Sequence, residues 1–373
     1  MNRLKKELFE IKVLVAFVSF LFIVLFAFLV MNGYSNLNNH IDETHKELFD
    51  TIDQRVKFII LEINDFPKSA GNEILFLSKL SCIAGVSRLA DGGAKEIAMK
   101  DSQNDFLTFL RENNAYYQLI YVDKNGKEIV KATANPDNTY SLASGDELRD
   151  ISSEYLFKKT IALSDKEIFV SPLMLNTDNG KVENVGTLNN PKYVPVIKYA
   201  THIFDDDGNS LGMIILSVDA NYFLEDIRRS QRDGEKVFLV NNDGYYLANY
   251  EEEKEFSFMF SDRDYSIYKD YPFLSPDVLK DSDNRRFEID GVIFTFRNIY
   301  PTATSFEVHE GSQQVFGDNP EQEYYWILVS VSDRNILNSA TDGFRENYRF
   351  SLLFSGLIIM LIMLLLLFIW RTK

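Results

Sequence analysis

The stretch Asp205-Asp206-Asp207-Gly208-Asn209-Ser210 carries five oxygen-bearing side chains in six residues, and the chemistry it suggests is calcium binding. A calcium loop of the helix–loop–helix type needs Gly at its sixth place and Glu at its twelfth. Counted from Asp205 those places hold Ser210 and Leu216, so the stretch reads as a hairpin turn. The histidines, His40, His45, His202 and His309, fall in no metal-ligand spacing, and no metal site is expected. There is no Gly-x-Ser-x-Gly elbow and no phosphate-cradling loop. Cys82 is the one cysteine, which forbids an intrachain disulfide, and with no positioned His it reads as a core residue rather than a nucleophile. The residues present are expected to form no enzyme and to need no cofactor. What remains is binding. Lys198 interrupts the apolar run "PVIKYA", where a lysine either meets a ligand or snorkels to a sheet edge. The run "EEEKE" at 251–255 reads as a solvated loop.

Two apolar runs bracket these residues. Val13 to Met31 holds 19 residues without a charge, and at ~1.5 Å per residue it is roughly 28 Å long, enough to cross the hydrocarbon core. Ser351 to Trp370 is similar. Arg3, Lys5, Lys6 and Lys12 precede the first run, and Arg371 and Lys373 follow the second. The positive-inside rule then makes 1–12 and 371–373 cytoplasmic, with 32–350 outside. A cleaved signal peptide is the alternative for the first run. The run exceeds the ~7–15 residues of a signal core and "MNGYSNLNN" offers no small-x-small cleavage site, so an anchor is expected. The spans and tails hold six basic and two acidic residues, +4; the whole chain is −16, which leaves −20 outside. Such acidity excludes nucleic acid as a partner.

Residues 34–66 read as one long helix. Leu37, Ile41, Leu48, Ile52, Val56, Ile59 and Ile63 recur at threes and fours, and Pro67 is expected to close it. At ~1.5 Å per residue it reaches about 50 Å from the membrane, and its stripe is expected to bury against its own domain and a second copy. A helical stretch over 70–113 comes next, then strands. Two internal echoes appear. "VDKNG" in a hairpin over 117–132 matches "VNNDG" in a hairpin over 236–248, with Gly126 and Gly244 118 residues apart. "IILSVDANYFLEDI" matches "ILVSVSDRNILNSA", with Asp219 and Asp333 114 apart. Two echoes at nearly one offset predict two copies of one module, divided in the polar segment 228–236. The first copy is expected to hold a helix at 150–163, a strand at 167–175, a loop at 176–194 and a long hairpin over 195–219. The second holds a loop-rich middle at 249–284, strands at 285–299 and 324–332, and a closing helix at 333–349. Consecutive hairpins imply antiparallel sheets with helices on one side, an α+β fold.

Five stretches in this order, "LIYVDKNGKEIVKA", "YLFKKTIALSDKEIFVSPLMLN", "PVIKYATHIFDDDGNSLGMIILSVD", "VFLVNNDGYYLANY" and "YYWILVSVSDRNIL", resemble the double Cache domains of bacterial receptors. The resemblance covers roughly residues 35–345 and is greatest to the domains on sensor histidine kinases and diguanylate cyclases. It implies a stalk helix at 32–69 and two tandem PAS-like (Cache) antiparallel-sheet modules between two transmembrane helices. The membrane-distal module is 70–227 and the proximal one 228–345. It further implies a small-molecule pocket in the distal module, between the sheet and helix 150–163. Carried onto this chain, the pocket candidates are Tyr121, Tyr155, Phe157, Ser171, Asn176, Lys198 and Thr201, with Tyr121 the leading ligand-facing residue. Amino-acid-binding members carry an Arg just ahead of an aromatic pair on that helix; "SSEYLF" has none, since Arg149 lies further back. Basic positions of the sensor-kinase group stand here as Lys131 and Lys198, which suit an anion as point charges.

The expected function is extracytoplasmic sensing of a small molecule and signalling through the membrane, as a homodimer joined by stalk and spans. A kinase or cyclase output is expected beyond the second span or on a cytoplasmic partner. The alternative is a membrane-anchored interaction protein whose ectodomain binds another protein.

Overall fold

A single Asx-type turn closes three of the hairpins, and its chemistry is written in the sequence. Asp123, Asp205 and Asn241 each accept, through Oδ1, the backbone N–H groups two and four residues on. Each also accepts at its carbonyl the N–H of the glycine three residues on, Gly126, Gly208 or Gly244. Those glycines have φ of 93°, 80° and 84°, a region open to residues without a Cβ. The run "DDDGNS" is therefore a hairpin turn. Among the described residues no group of His, Cys, Asp and Glu is placed to hold a metal.

The computed structural model describes residues 2–89, 92–232, 234–280, 285–300, 314–316 and 324–371. They fall into two compact units, Val56–Ser332 and Met1–Arg55 with Asp333–Lys373. Helix α1 (Asn2–Leu77) runs unbroken through Pro67, where a stop was expected. A proline inside a helix costs about 3 kcal/mol. Beyond it Ala70, Ile74 and Leu77 are buried, and a fully buried Ile or Leu contributes ~1.5–3 kcal/mol, so packing outweighs the break. Helices α2 (Ser81–Arg88) and α3 (Gly93–Glu112) complete the expected helical stretch. Helix α3 buries Ala98, Ser102, Phe106 and Leu110, four residues apart.

The first sheet then forms from β1 (Tyr116–Val122), β2 (Glu128–Ala134) and β3 (Tyr140–Leu142). The expected helix at 150–163 contracts to α4 (Tyr155–Thr160). The expected strand at 167–175 splits into β4 (Ile168–Val170) and β5 (Met174–Leu175), because Pro172 has no N–H for a ladder. The expected loop carries a small ribbon, β6 (Thr177–Asp178) and β7 (Lys181–Val182). The long hairpin is β8 (Pro195–Phe204) and β9 (Ser210–Asp219), followed by α5 (Asn221–Arg229). The second sheet takes β10 (Glu235–Asn241) and β11 (Tyr246–Ala248), then α6 (Ile267–Asp270) and α7 (Pro276–Lys280) in the loop-rich middle. The single strand expected at 285–299 is a hairpin, β12 (Arg286–Ile289) and β13 (Val292–Ile299). Its two-residue turn is Asp290-Gly291, both at positive φ, a hairpin signal in the sequence. Short β14 (Gln314–Phe316) lies parallel beside β4, and β15 (Trp326–Asp333) leads into α8 (Arg334–Arg371).

Strand order is β14-β4-β8-β9-β1-β2-β3 in the first sheet and β11-β10-β15-β13-β12 in the second. Numbered in chain order within each, the strands β2-β1-β9-β8-β4 and β11-β10-β15-β13-β12 both run second, first, fifth, fourth, third. Helices cover both faces of the first sheet. On one, Tyr116 stacks on Phe109 of α3 with centroids 5.3 Å apart. On the other, α4 packs Phe157 into a cluster with Ile120, Val122, Phe169, Ala200, Met213 and Ile215. The second sheet buries Phe238, Tyr246, Phe294, Phe296, Ile327 and Val329 against Ile267 and Leu279.

In the last turn of α5, Arg228 meets Glu255 at 2.8 and 2.7 Å, and Asn221 at 3.1 Å. Burial raises the Glu255 pKa, while Arg228 works against that. Removing one partner leaves a buried charge alone. Arg228→Ala is expected to cost ~3 kcal/mol in chemical denaturation, and Arg228→Met with Glu255→Leu far less.

In the other unit, α1 and α8 touch along a seam. Tyr348 OH donates to Val30 O at 3.0 Å, Phe344 stacks on His40, and Gly33 lies under the Tyr348 ring. Lys12–Leu61 and Arg334–Leu365 are long and apolar enough to cross a membrane by length and composition.

Candidate ligand site

The strand pairings put one row of polar residues across the first sheet. Ser171 follows β4 and is bonded to Lys198; Lys198 pairs with Ser217, Ser217 with Gln118, and Gln118 with Thr133. Directly paired residues share a face, with Cβ atoms roughly 4.5–5.5 Å apart. The adjoining row, Phe169, Ala200, Ile215 and Ile120, belongs to the α4 cluster, so the polar row faces α4 too. It forms a ledge beside that apolar core.

Charged groups surround the ledge. Arg149 is ion-paired with Asp178 of the ribbon (3.1 Å), Glu154 ahead of α4 (3.0 Å) and the fully buried Glu128 (3.4 Å). Glu183 accepts from Tyr117 OH at 3.0 Å and from Asn176 Nδ2 at 2.6 Å, which ties the ribbon down beside the ledge. Burial, with Glu183 adding to it, pushes the Tyr117 phenol far above its ordinary pKa.

Lys198 is different. Among the described residues no carboxylate lies within ion-pair distance of its Nζ. Burial pushes its pKa down; Glu154 opposes the shift, and Arg149 and Lys131 add to it. Next to it Ser217 Oγ is buried without a hydrogen-bond partner, and so is Asn176 Oδ1. A half-buried ammonium with no carboxylate at ion-pair distance, beside orphaned polar atoms, suits a partner that brings negative charge and hydrogen bonds.

The structure gathers Lys198, Ser171, Asn176, Phe157 and Tyr155 on the α4 side. Phe157 is core there; Tyr155, 37% exposed, sits edge-on to Phe169 at 6.1 Å. Tyr121 and Thr201 go to the opposite face. A bulge between Tyr116 and Gln118 turns Tyr117 toward α4, out of step with Tyr121, and the alternation that aims Ile120 at α4 aims Tyr121 away. Tyr121 OH donates to Leu211 O at 2.7 Å and contacts the Ser87 hydroxyl, pinning α2 to the sheet. Thr201 Oγ1 donates to Glu167 O. Tyr121→Phe is therefore expected to lose ~1 kcal/mol of stability in a denaturant melt and leave ligand response unchanged. Gln118, Ser217 and Arg149 join the site without having been expected there. The first two show in the sequence as polar residues inside apolar strands, the signal that marked Lys198. A separate groove of about 430 Å³ between α2 and α3 is lined by Cys82, Asp101, Asn104 and Asp105 and holds none of these residues.

Two sheets of one strand order, with a polar ledge and the Arg149 cluster on one face of the first, are the frame of the described fold. The chain belongs to the bacterial histidine kinase sensor domain family, whose profile matches residues 86–305. It is similar to the extracellular domain of a protein classed as a histidine kinase, vpHK1S-Z8, at 17% identity and a TM-score of 0.60, covering 82% of this chain and 95% of that one. It is equally similar to a domain of a sensory box/GGDEF family protein from Vibrio parahaemolyticus, at 17% identity and 0.60, covering 78% and 97%. At that identity the likeness speaks for the fold. No curated protein matches the chain.

Proposed function

We propose that this receptor portion senses a small carboxylate outside the cytoplasm. The observation that carries the reading is the unpaired Lys198 ammonium beside the orphaned Ser217 hydroxyl on a sheet face. The carboxylate supplies the missing counter-charge, and its second oxygen accepts from Ser217. The two sheets are read as tandem PAS-like (Cache) modules, 70–227 membrane-distal and 228–345 proximal, on the strength of their common strand order. The runs 13–31 and 351–370 are read as spans with both termini cytoplasmic. A homodimer through α1 is supported by Phe58, Leu61 and Phe76, exposed at 61, 54 and 69%. Phe58 and Phe76 are 18 residues apart, about five turns, and so share one side of the helix. The signal leaves through α8 toward a kinase or cyclase output.

The test is thermal shift of the full chain in nanodiscs against acetate, pyruvate, succinate, citrate, amino acids, amines, purines and sugars. Stabilisation by carboxylates, lost in Lys198→Gln, supports the reading. Stabilisation by amines or sugars alone overturns the anion assignment, and no response to any class favours a protein partner.

A further inference from the structure

A short strap joins the ledge to the second sheet. Residues 171–176 follow β4. At one end Ser171 N donates to Lys198 O at 2.9 Å, and the Ser171 hydroxyl accepts from Lys198 N at 2.8 Å. At the other end Asn176 holds Glu183 beside the ledge. Pro172 breaks the ladder between them, and two N–H groups reach the second sheet's segments instead. Leu173 N donates to Tyr324 OH at 2.9 Å, and Leu175 N to Met259 Sδ at 3.1 Å. The Tyr324 oxygen also accepts from Trp326 Nε1 at 2.8 Å. One phenol oxygen therefore accepts a hydrogen bond from the strap and another from the first residue of β15. Burial raises its pKa to about 12, so it stays a neutral phenol at any physiological pH. Trp326 is itself buried, stacked on Phe223 of α5 at 5.8 Å and edge-on to Tyr324 at 6.3 Å. At the far end of β15, Asp333 Oδ1 accepts from Asn335 N in the first turn of α8.

We propose that Tyr324 is a positioning residue for signalling: its oxygen joins the Leu173 amide to the Trp326 indole, so that a shift of Ser171 on the ledge is handed to β15. This rests on the ledge being the sensing site. Side-chain acceptors suit the role because they can re-aim without breaking a sheet ladder. A ligand that draws Lys198 and Ser171 toward itself moves Leu173, and the phenol and indole move with it.

The experiment uses the full chain with Trp370→Phe, which leaves Trp326 as the sole tryptophan. Ser171→Ala is expected to shift the Trp326 emission, and Ser171→Thr, which keeps the hydroxyl, to restore it. In a Tyr324→Phe background Ser171→Ala is expected to produce no further shift. Hydrogen exchange at Leu173 should quicken about tenfold in Tyr324→Phe, the loss of one hydrogen bond, with Leu175 unchanged. Trp326 emission indifferent to Ser171→Ala, or equally sensitive with and without the Tyr324 oxygen, overturns the proposal. Should Tyr324→Phe unfold, the Ser171→Ala and Ser171→Thr pair decides alone. No ligand enters this cycle, so a carboxylate panel that fails counts against the ledge reading, and a cycle that fails counts against the strap.

Discussion

Lys198→Met is expected to make the ligand-free protein more stable and to abolish its response to carboxylates in the same step. A half-buried ammonium without a counter-ion opposes folding, and methionine fills a similar volume without a charge. The expected gain is ~1–2 kcal/mol near pH 7, the range of substitutions that relieve a strained functional site. The pH dependence carries the sign. Burial lowers the Lys198 pKa in the folded state, with Glu154 and Glu128 working against it and Arg149 and Lys131 with it. Between that lowered value and the ordinary 10.5, the unfolded chain holds more protons than the folded one. Lys198 therefore makes stability rise with pH in this window, and Lys198→Met is expected to flatten the rise. Chemical denaturation of both proteins at several pH values checks it. A methionine variant less stable than the parent would show that Lys198 is paired in solution.

Gly212→Ala is expected to be the most damaging small substitution in the first sheet. Gly212 lies in β9 at φ 118°, where side chains are strained. A Cβ there would press on Val122 O at the end of β1 and come within 2.9 Å of backbone atoms of Asp123 just after it. Backbone cannot swing aside as a side chain can, so β9 and β1 would have to part. The expected cost is more than ~3 kcal/mol, with loss of soluble protein at 37 °C. Gly208→Ala is the control. Gly208 is also left-handed, at φ 80°, but nothing lies within 4 Å of its Cβ position. Only the conformational penalty applies, about 1 kcal/mol. Equal losses in the two variants would refute the steric account.

What the sequence reveals depends on how far each signal reaches along the chain. The hairpins at 116–134 and 195–219 are legible because their turns carry an Asx and a glycine at fixed spacing, and local hydrogen bonds complete the motif. The Asp290-Gly291 turn carries an equally local signal, masked by the apolar run around it. Pro67 misled, because tertiary burial of Ile74 and Leu77 outweighs a local rule. The placement of Tyr121 on the face opposite α4 shows how thin the margin is in a strand: one bulged residue at Tyr117 puts the residues before it and those after it out of step between the two faces. Lys198 stood out as a charge among apolar neighbours. The Arg149 cluster could not be seen, since Glu128, Arg149, Glu154 and Asp178 meet only when β2, the loop before α4 and the ribbon are folded together.

The shared strand order has a consequence for how much the protein can report. In each sheet the fifth strand, β9 or β15, continues into a helix, α5 or α8. On the proposed reading of the two sheets as tandem modules, they are wired in series, output of the first to frame of the second. A binding event biases the last element only by the coupling free energy that survives each junction, and the weaker junction sets the limit. A tighter ligand does not raise that ceiling. Stiffening the residues between the modules does, so gain and affinity are separate properties of this chain and can be tuned by different substitutions.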